Sequence, residues 1–283
     1  MPGTVLMVTQ QPGGLFALTD PSETTGSVFF VDSVTGTDGA GYGRDPTRPT
    51  ATIDYAHNLC AANKGDRVYV MPGHAETLAT AGALTMDLDG VSIIGLGVGA
   101  QRPLISFSAT GSTIVVSADK CRLANLQLKS TVNELVKFIN AAGAEYLEID
   151  AVDVIDGGSA KEALQFILTD ADSDYLEIKN CRHWQLTAGA TAQLWIALVG
   201  CTGAYIHDNV FILKLQDGAT CSAINADANT RLSHFARNTG HITGYTAGLV
   251  SAVIGTSGAT GLHENSYWYC DTTITTTINA CPS

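Results

Sequence analysis

The sequence predicts an all-β fold, a right-handed parallel β-helix standing behind an N-terminal capping helix. Three observations lead there: a composition of strand and turn formers, many short strands separated by Gly, Asp or Ser, and a loose repeat of 27–30 residues anchored on Asp or Asn.

The apolar fraction is 45% and the charged fraction 15%, which supplies a core and excludes a disordered chain. Thr, Ser, Val and Ile recur while Lys, Arg and Glu are sparse, a poor mixture for exposed helices and a good one for strands. The 29 glycines suit a fold with many tight corners. A net charge of −12 without a basic stripe argues against nucleic acid as a partner, and against anionic membranes for the same reason. The longest apolar runs, such as 194–199, are too short to span a bilayer. No charged n-region and apolar h-region open the chain, so synthesis in a cytoplasm without a secretory signal is the expectation. Seven cysteines without a CxxC pair form no zinc set, and the expectation is reduced, buried or half-buried thiols. Pairing of Cys270 with Cys281 is the alternative.

Taken in order, residues 1–27 read as an extended N-terminal arm. Its two apolar patches, VLMV at 5–8 and LFAL at 15–18, are too small for a core of their own and are expected to lie on the body or on a neighbouring molecule. Residues 28–72 read as a cap: a strand at 28–31, turn chemistry at Gly36-Thr37-Asp38-Gly39, a helix from an N-cap at Thr50 to about Asn63, a stop at Gly65-Asp66, and a strand at 67–71. Ile53, Ala56, His57 and Cys60 are spaced to face inward from that helix. Residues 73–283 read as β-helix coils ending in a strand-like tail. Strands are expected at 91–94, 104–107, 114–116, 123–128, 146–154, 164–168, 175–180, 194–199, 205–213 and 249–254. The segment 133–140 is the one further helical pattern.

The repeat decides the architecture. Tyr146-Leu147-Glu148-Ile149-Asp150 returns as the segment from Tyr175 to Asn180, then as Tyr205-Ile206-His207-Asp208-Asn209, with echoes ending at Asn238 and Asn265. From Asp150 through Asn180, Asn209 and Asn238 to Asn265 the spacings are 30, 29, 29 and 27, and Asn125 heads the column. One coil of short strands cannot bury its inward side chains alone; coils stacked at about 4.8 Å complete one another's hydrogen bonds and enclose a continuous core. The anchoring residues are then expected to form an asparagine ladder at one corner.

The segment FFVDSVTGTDGAGYGRDPTRPTATIDYAHNLC followed by GDRVYVMPGHAET resembles the opening of pectate-lyase-like right-handed β-helix proteins. The matching positions are Val31-Asp32, Gly36, Asp38, Pro49-Thr50, Gly65-Asp66, Val68-Tyr69-Val70 and Pro72-Gly73. With the repeat, the resemblance covers residues 28 to about 265. Within that group the short arm and absent signal look most like bacteriophage virion proteins. The resemblance implies a trimeric capsid decoration or cement protein on the capsid exterior, a homotrimer whose partner is the major capsid protein. Its alternative is a tailspike that binds or hydrolyses host-surface polysaccharide. Little chain remains for a separate particle-binding domain, which favours decoration.

Candidate chemistry centres on acids. Ten of the 27 lie between residues 145 and 177: Glu145, Glu148, Asp150, Asp153, Asp156, Glu162, Asp170, Asp172, Asp174 and Glu177. Glu148 and Glu177 occupy equivalent places on adjacent coils, as do Asp150 and Asn180, and stacked side chains would stand about 5 Å apart, a range suited to a retaining glycosidase pair. His207-Asp208 falls one coil further on, and Arg182 is the nearest base to Glu177. Against this stands the plain alternative of a solvated acidic face, because Glu148 and Asp150 alternate with Leu147 and Ile149 as outward strand residues do. Asp170, Asp172 and Asp174 lie where turns favour Asp. The plain alternative is preferred, with no catalytic, cofactor or metal residue assigned. DADSD lacks the Gly and terminal Glu of an EF-hand loop. No HExxH is present, and GLGVG at 95–99 is followed by Gln101-Arg102-Pro103 where a dinucleotide-binding helix would begin. Trp195 inside LWIALV is expected in the core.

Overall fold

The computed structural model describes residues 26–188, 193–215 and 222–244, together with the strands Met7–Gln11, Gly14–Leu18, Ile254–Thr256, Thr260–His263 and Ser266–Cys270. Three parallel sheets run along one axis as a parallel β-helix. The first contains, in stacking order, Val28–Val31, Arg67–Val70, Ser92–Gly95, Arg122–Ala124, Glu148–Asp150, Glu177–Lys179, Tyr205–His207, Ser233–Ala236 and Thr260–His263. The second runs from Ala75–Leu78 through Leu104–Phe107, Gln127–Ser130, Asp153–Val154, Arg182–Gln185, Val210–Leu215 and Thr239–Gly244 to Ser266–Cys270. The third runs from Ala81–Met86 through Thr113–Val116, Ile139–Ala141, Ile167–Leu168, Leu194–Leu198 and Ser222–Ala226 to Ile254–Thr256.

Inward side chains hold the register. Phe29, Val68, Ile93, Leu123, Ile149, Ile178, Ile206 and Phe235 are directly paired down the first sheet, and every one is buried. Each contributes about 1.5–3 kcal/mol by burial, and a slip of one residue would turn the whole column to solvent. Trp195 is fully buried in the same core, edge-on to Phe138.

This apolar register corrects the expected ladder. Glu148 pairs with Glu177 and Asp150 pairs with Lys179, so Asn180 stacks beside Ala151 and Asp208, one place away from Asp150's column. Two columns exist where one was expected. Asn125, Ala151, Asn180, Asp208 and Arg237 are single left-handed residues, φ between 51° and 56°, that bend the chain from the first sheet to the second. Asn180 reaches from its own place to Asp150, Nδ2 to Oδ1, at 2.9 Å. The following position is buried and holds Cys181, Asn209 and Asn238. There a short ladder does form: Asn209 Nδ2 donates to Asn238 Oδ1 at 2.9 Å, and Asn209 Oδ1 accepts from the Cys181 amide at 2.9 Å. Asn265 lies outside the described residues. The asparagines drift because successive coils differ by a residue in length, whereas burial keeps the Ile column aligned.

The cap is built by short side chains that take orphan amides. The helix Ile53–His57 starts at Thr52, whose Oγ1 accepts from Tyr55 N, and ends at Asn58. It is therefore shorter than the expected 50–63, and Thr50 instead is buried, donating to Phe30 O. Asp38 accepts from Ala51 N and Thr52 N, Asp66 from Ser27 N at 2.6 Å and Ala61 N at 2.8 Å. A Cβ on Gly36 would fall 2.1 Å from Thr50 O, so only glycine fits that turn. His74 accepts from Ser33 N at Nδ1 and faces Glu76 at 3.2 Å from Nε2, while Glu76 also accepts from Ile53 N. The residues carrying the resemblance are thus structural staples.

The segment 133–140 forms no helix: Leu135 bridges to Ala163, and Ile139 begins a strand of the third sheet. Local helical spacing there gives way to pairing with both neighbouring coils. Within the arm, Met7–Gln11 and Gly14–Leu18 pair antiparallel as a two-stranded sheet. The last stretch expected as a strand, 249–254, lies outside the described residues but for Ile254. Among the described residues no helix is long and apolar enough to cross a membrane.

Candidate functional site

The outward positions of the first sheet gather the densest charge. Because side chains alternate, burying Ile149, Ile178 and Ile206 points Glu148, Asp150, Glu177, Lys179, Tyr205 and His207 to the other face. Arg122 enters from the preceding coil, its Nε 3.3 Å from Glu148 and its Nη2 2.7 Å from Asp150. Lys179 Nζ lies 2.8 Å from Glu148 and 2.9 Å from Glu177. His207 Nε2 lies 3.1 Å from Glu177 and its Nδ1 2.6 Å from Asp208. Arg237 closes the ribbon on Asp208 with two bonds, Nε at 2.8 Å and Nη2 at 2.7 Å. Four acids meet two arginines, a lysine and a histidine in alternating order.

The electrostatics follow from this order. At Glu177 burial pushes the carboxyl upward, but hydrogen bonds from Lys179 and His207 outweigh it and leave the group below its ordinary value. Asp208 is held well below the carboxylate range by Arg237 first and His207 second. Lys179 loses some solvation, yet its bonds to Glu148 and Glu177 raise it. A glycosidase acid needs the opposite, a carboxyl kept protonated near neutrality. Two anions stacked on adjacent coils are close here, but one ammonium lies between them.

The remaining predicted acids are dispersed. Asp153 sits on the second sheet, 2.6 Å from Arg102 and accepting from Arg182 N. Asp156 accepts from Leu186 N, Asp170 from Gly143 N and Asp174 from Thr202 N, each joining coils as a turn staple. Glu162 is buried, and desolvation raises its carboxyl. Arg182 projects from the second sheet, so it is no base for Glu177. The partners that matter, Arg122, Lys179 and Arg237, went unread in the sequence. The signal was available in the register Arg122, Glu148, Glu177, which places a cation next to the acids one coil away.

Elsewhere the polar groups are closed off. His183 is buried among Phe166, Trp195 and Phe211, accepts from Trp195 Nε1, and is pushed down to about 3 by burial. Cys60 and Cys201 are pushed up to about 12 and Cys121 to about 11 by burial, as thiols excluded from water should be. Cys121, Cys181 and Cys201 are free and buried.

The outer face of the second sheet differs in kind. Trp184 pairs in register with Ile212, and Ile212 with His241. Trp184 and Leu186 are each half exposed, and a shallow cleft of about 360 Å³ is lined by Leu186, Ile212, Leu213 and His241. At the corner before the first sheet Tyr146 and Tyr175 stack with centroids 4.7 Å apart, both in the left-handed region.

No protein-family profile and no curated protein sequence matches this chain. Among solved structures a rhamnogalacturonan lyase is similar at a TM-score of 0.44 and 13% identity, over 77% of this chain and 73% of that one. A GH136 lacto-N-biosidase from Eubacterium ramulus is similar at a TM-score of 0.43 and 9% identity, over 86% of this chain and 68% of that one. Neither likeness assigns a role to any residue here; the fold rests on the strand pairing described above.

Proposed function

We propose that this chain is a structural protein that acts by contact, a trimeric decoration protein on a phage capsid exterior, made in the host cytoplasm. The observation that carries the non-catalytic part is the ribbon. Glu148, Asp150, Glu177 and Asp208 each lie against a cation, and Glu177 and Asp208 are held as anions. Such a surface stiffens the coils, and Glu177 and Asp208, held as anions, have no carboxyl proton to give a leaving group. The virion part rests on the resemblance of residues 28 to about 265 and on the arm. A rigid solenoid laid across a junction between major capsid subunits gains its effect by touching several partners at once.

Copy number per purified particle tests this, measured by quantitative mass spectrometry against the major capsid protein. Hundreds of copies support decoration; a few tens at most would overturn it in favour of a tail spike. Deleting residues 1–27 is expected to leave a folded trimer that no longer binds particles, and retained binding would exclude the arm as the tether.

A second reading, binding of host-surface polysaccharide, draws on the half-exposed Trp184 beside an open cleft. Aromatic faces of this kind suit sugar rings. Loss of glycan retention by Trp184→Ala, with no cleavage by the parent chain, would establish it.

A further inference from the structure

The outer face of the first sheet changes character along the stack. Below the charged ribbon, the column that holds Lys179 and Asp150 continues through Ala124 and Ile94 to Tyr69 and Phe30. Phe29, Val68 and Ile93 belong to the core, so by alternation Phe30, Tyr69 and Ile94 point outward. Yet Phe30, Tyr69 and Met71 are only 1, 7 and 4% exposed. They form an apolar cluster of their own, separate from the core, with Val28, Ile94 and Leu96 packed against it. Large apolar side chains on the outside of a sheet stay this dry only beneath a cover. The cap loop beside Val28–Val31 turns its contacts to the core side: Arg44 lies over the Phe29 ring at 4.9 Å, and Gly43 sits close to Phe29 and Leu59.

We propose that the N-terminal arm is this cover, its hairpin of Met7–Gln11 and Gly14–Leu18 seated on Phe30, Tyr69 and Met71 of its own chain. Three observations favour that occupant. A two-stranded hairpin is marginal in water by itself, and this one pairs Met7 with Leu18 and Thr9 with Phe16, so it needs an apolar surface to lie on. The chain also enters the sheet at the patch. Ser27 N donates to Asp66 Oδ1 at 2.6 Å, Gly26 lies so close to Gly65 and Asp66 that no Cβ fits, and Val28 is already part of the cluster. Charge agrees: residues 1–25 contain Asp20 and Glu23 but no Lys or Arg, and they lead to an entry flanked by Arg44, Lys64 and Arg67.

Geometry favours the chain's own hairpin over that of a second copy. Residues 19–25 give a reach of about 25 Å. The patch is three coils high, about 10 Å up the stack. A tether this short holds the hairpin near its seat at an effective concentration in the millimolar range. Whether or not the chain decorates a particle, the hairpin then belongs to the body of the solenoid. An arm that grips a neighbour does so from that fixed place and not as a free tail.

The test is photo-crosslinking of the full chain with Phe16 replaced by p-benzoylphenylalanine, read by denaturing gel and peptide mass spectrometry. Attachment within one chain to residues 28–31, 67–71 or 92–96 supports the proposal. Attachment to the same residues between chains overturns it in favour of an exchanged arm, and attachment elsewhere or none overturns it outright. Removal of residues 1–25 gives a second measurement. The shortened chain is expected to bind the apolar dye anilinonaphthalene sulfonate where the full chain does not gain it, and to melt about 3 °C lower. An unchanged midpoint with no gain in dye binding would mean that the arm covers nothing.

Discussion

The first and second sheets line one core and follow each other in each coil from Arg67 onward, yet their outer faces solve exposure differently. On the first, charge alternates along the stack from Arg122 to Arg237 and each group is neutralised by its neighbour one coil away. On the second, the C-terminal coils expose Trp184, Leu186 and Val210 with little to cover them among the described residues. The same geometry, a side chain every 4.8 Å up a column, rewards opposite charges in one column and leaves apolar groups half wet in the other. The lesson is that a β-helix face stabilised from within is poor ground for acid–base chemistry, whereas a face left unsatisfied is ground for contact.

Ways to sharpen the contrast run from large to small. The largest effect is expected at the hinge between the faces. Arg102 is mostly buried, pairs with Asp153 at 2.6 Å, and donates to the carbonyls of Leu126 and Ala151. Replacing it by Ala leaves the mostly enclosed Asp153 carboxylate with only the Arg182 amide as partner and should cost about 3 kcal/mol in denaturant unfolding. Asn209→Ala comes next, about 2 kcal/mol, because inside the core the Cys181 amide loses its acceptor and the Ile178 carbonyl loses a donor. On the ribbon, Lys179→Ala separates Glu148 from its bridge to Glu177 and should cost about 1 kcal/mol at low salt, shrinking toward zero in molar salt. That salt dependence is the mark of the first face and should be absent from the second. Trp184→Gln should change stability by less than about 0.5 kcal/mol, since the ring is half exposed, while weakening whatever this face binds. A large stability loss there would mean that the apolar row is held from within after all. Acid titration adds a check with a fixed sign. His183 refuses a proton in the core, so stability should fall as pH drops from the ordinary imidazole range toward about 3, and His183→Phe should flatten that slope.

Much of the architecture was legible in the chain because it is local or strictly periodic. The strands Leu104–Phe107 and Leu194–Leu198, the Gly36 turn and the inward position of Trp195 follow from alternation, turn chemistry and bulk. The strands read as 123–128, 146–154 and 205–213 each proved to be two, bent at Asn125, Ala151 and Asp208. Of those three, Asn and Asp tolerate the left-handed region and so hint at a bend, while Ala gives no such hint. The acids were legible as a cluster but not as a ribbon. Their partners come from neighbouring coils, with Arg122 lying 26 residues before Glu148 and 28 before Asp150.

The sequence by itself determined that coils of about 29 residues stack into a parallel β-helix behind a stapled cap, because period, glycine placement and apolar alternation act on each coil separately. Only the tertiary structure decided the register to the single residue, and with it every neighbour of Glu177. Coils that differ in length by one residue are aligned by the buried isoleucines and not by the polar residues that catch the eye, and a shift of one place separates a bare carboxylate pair from a neutralised one.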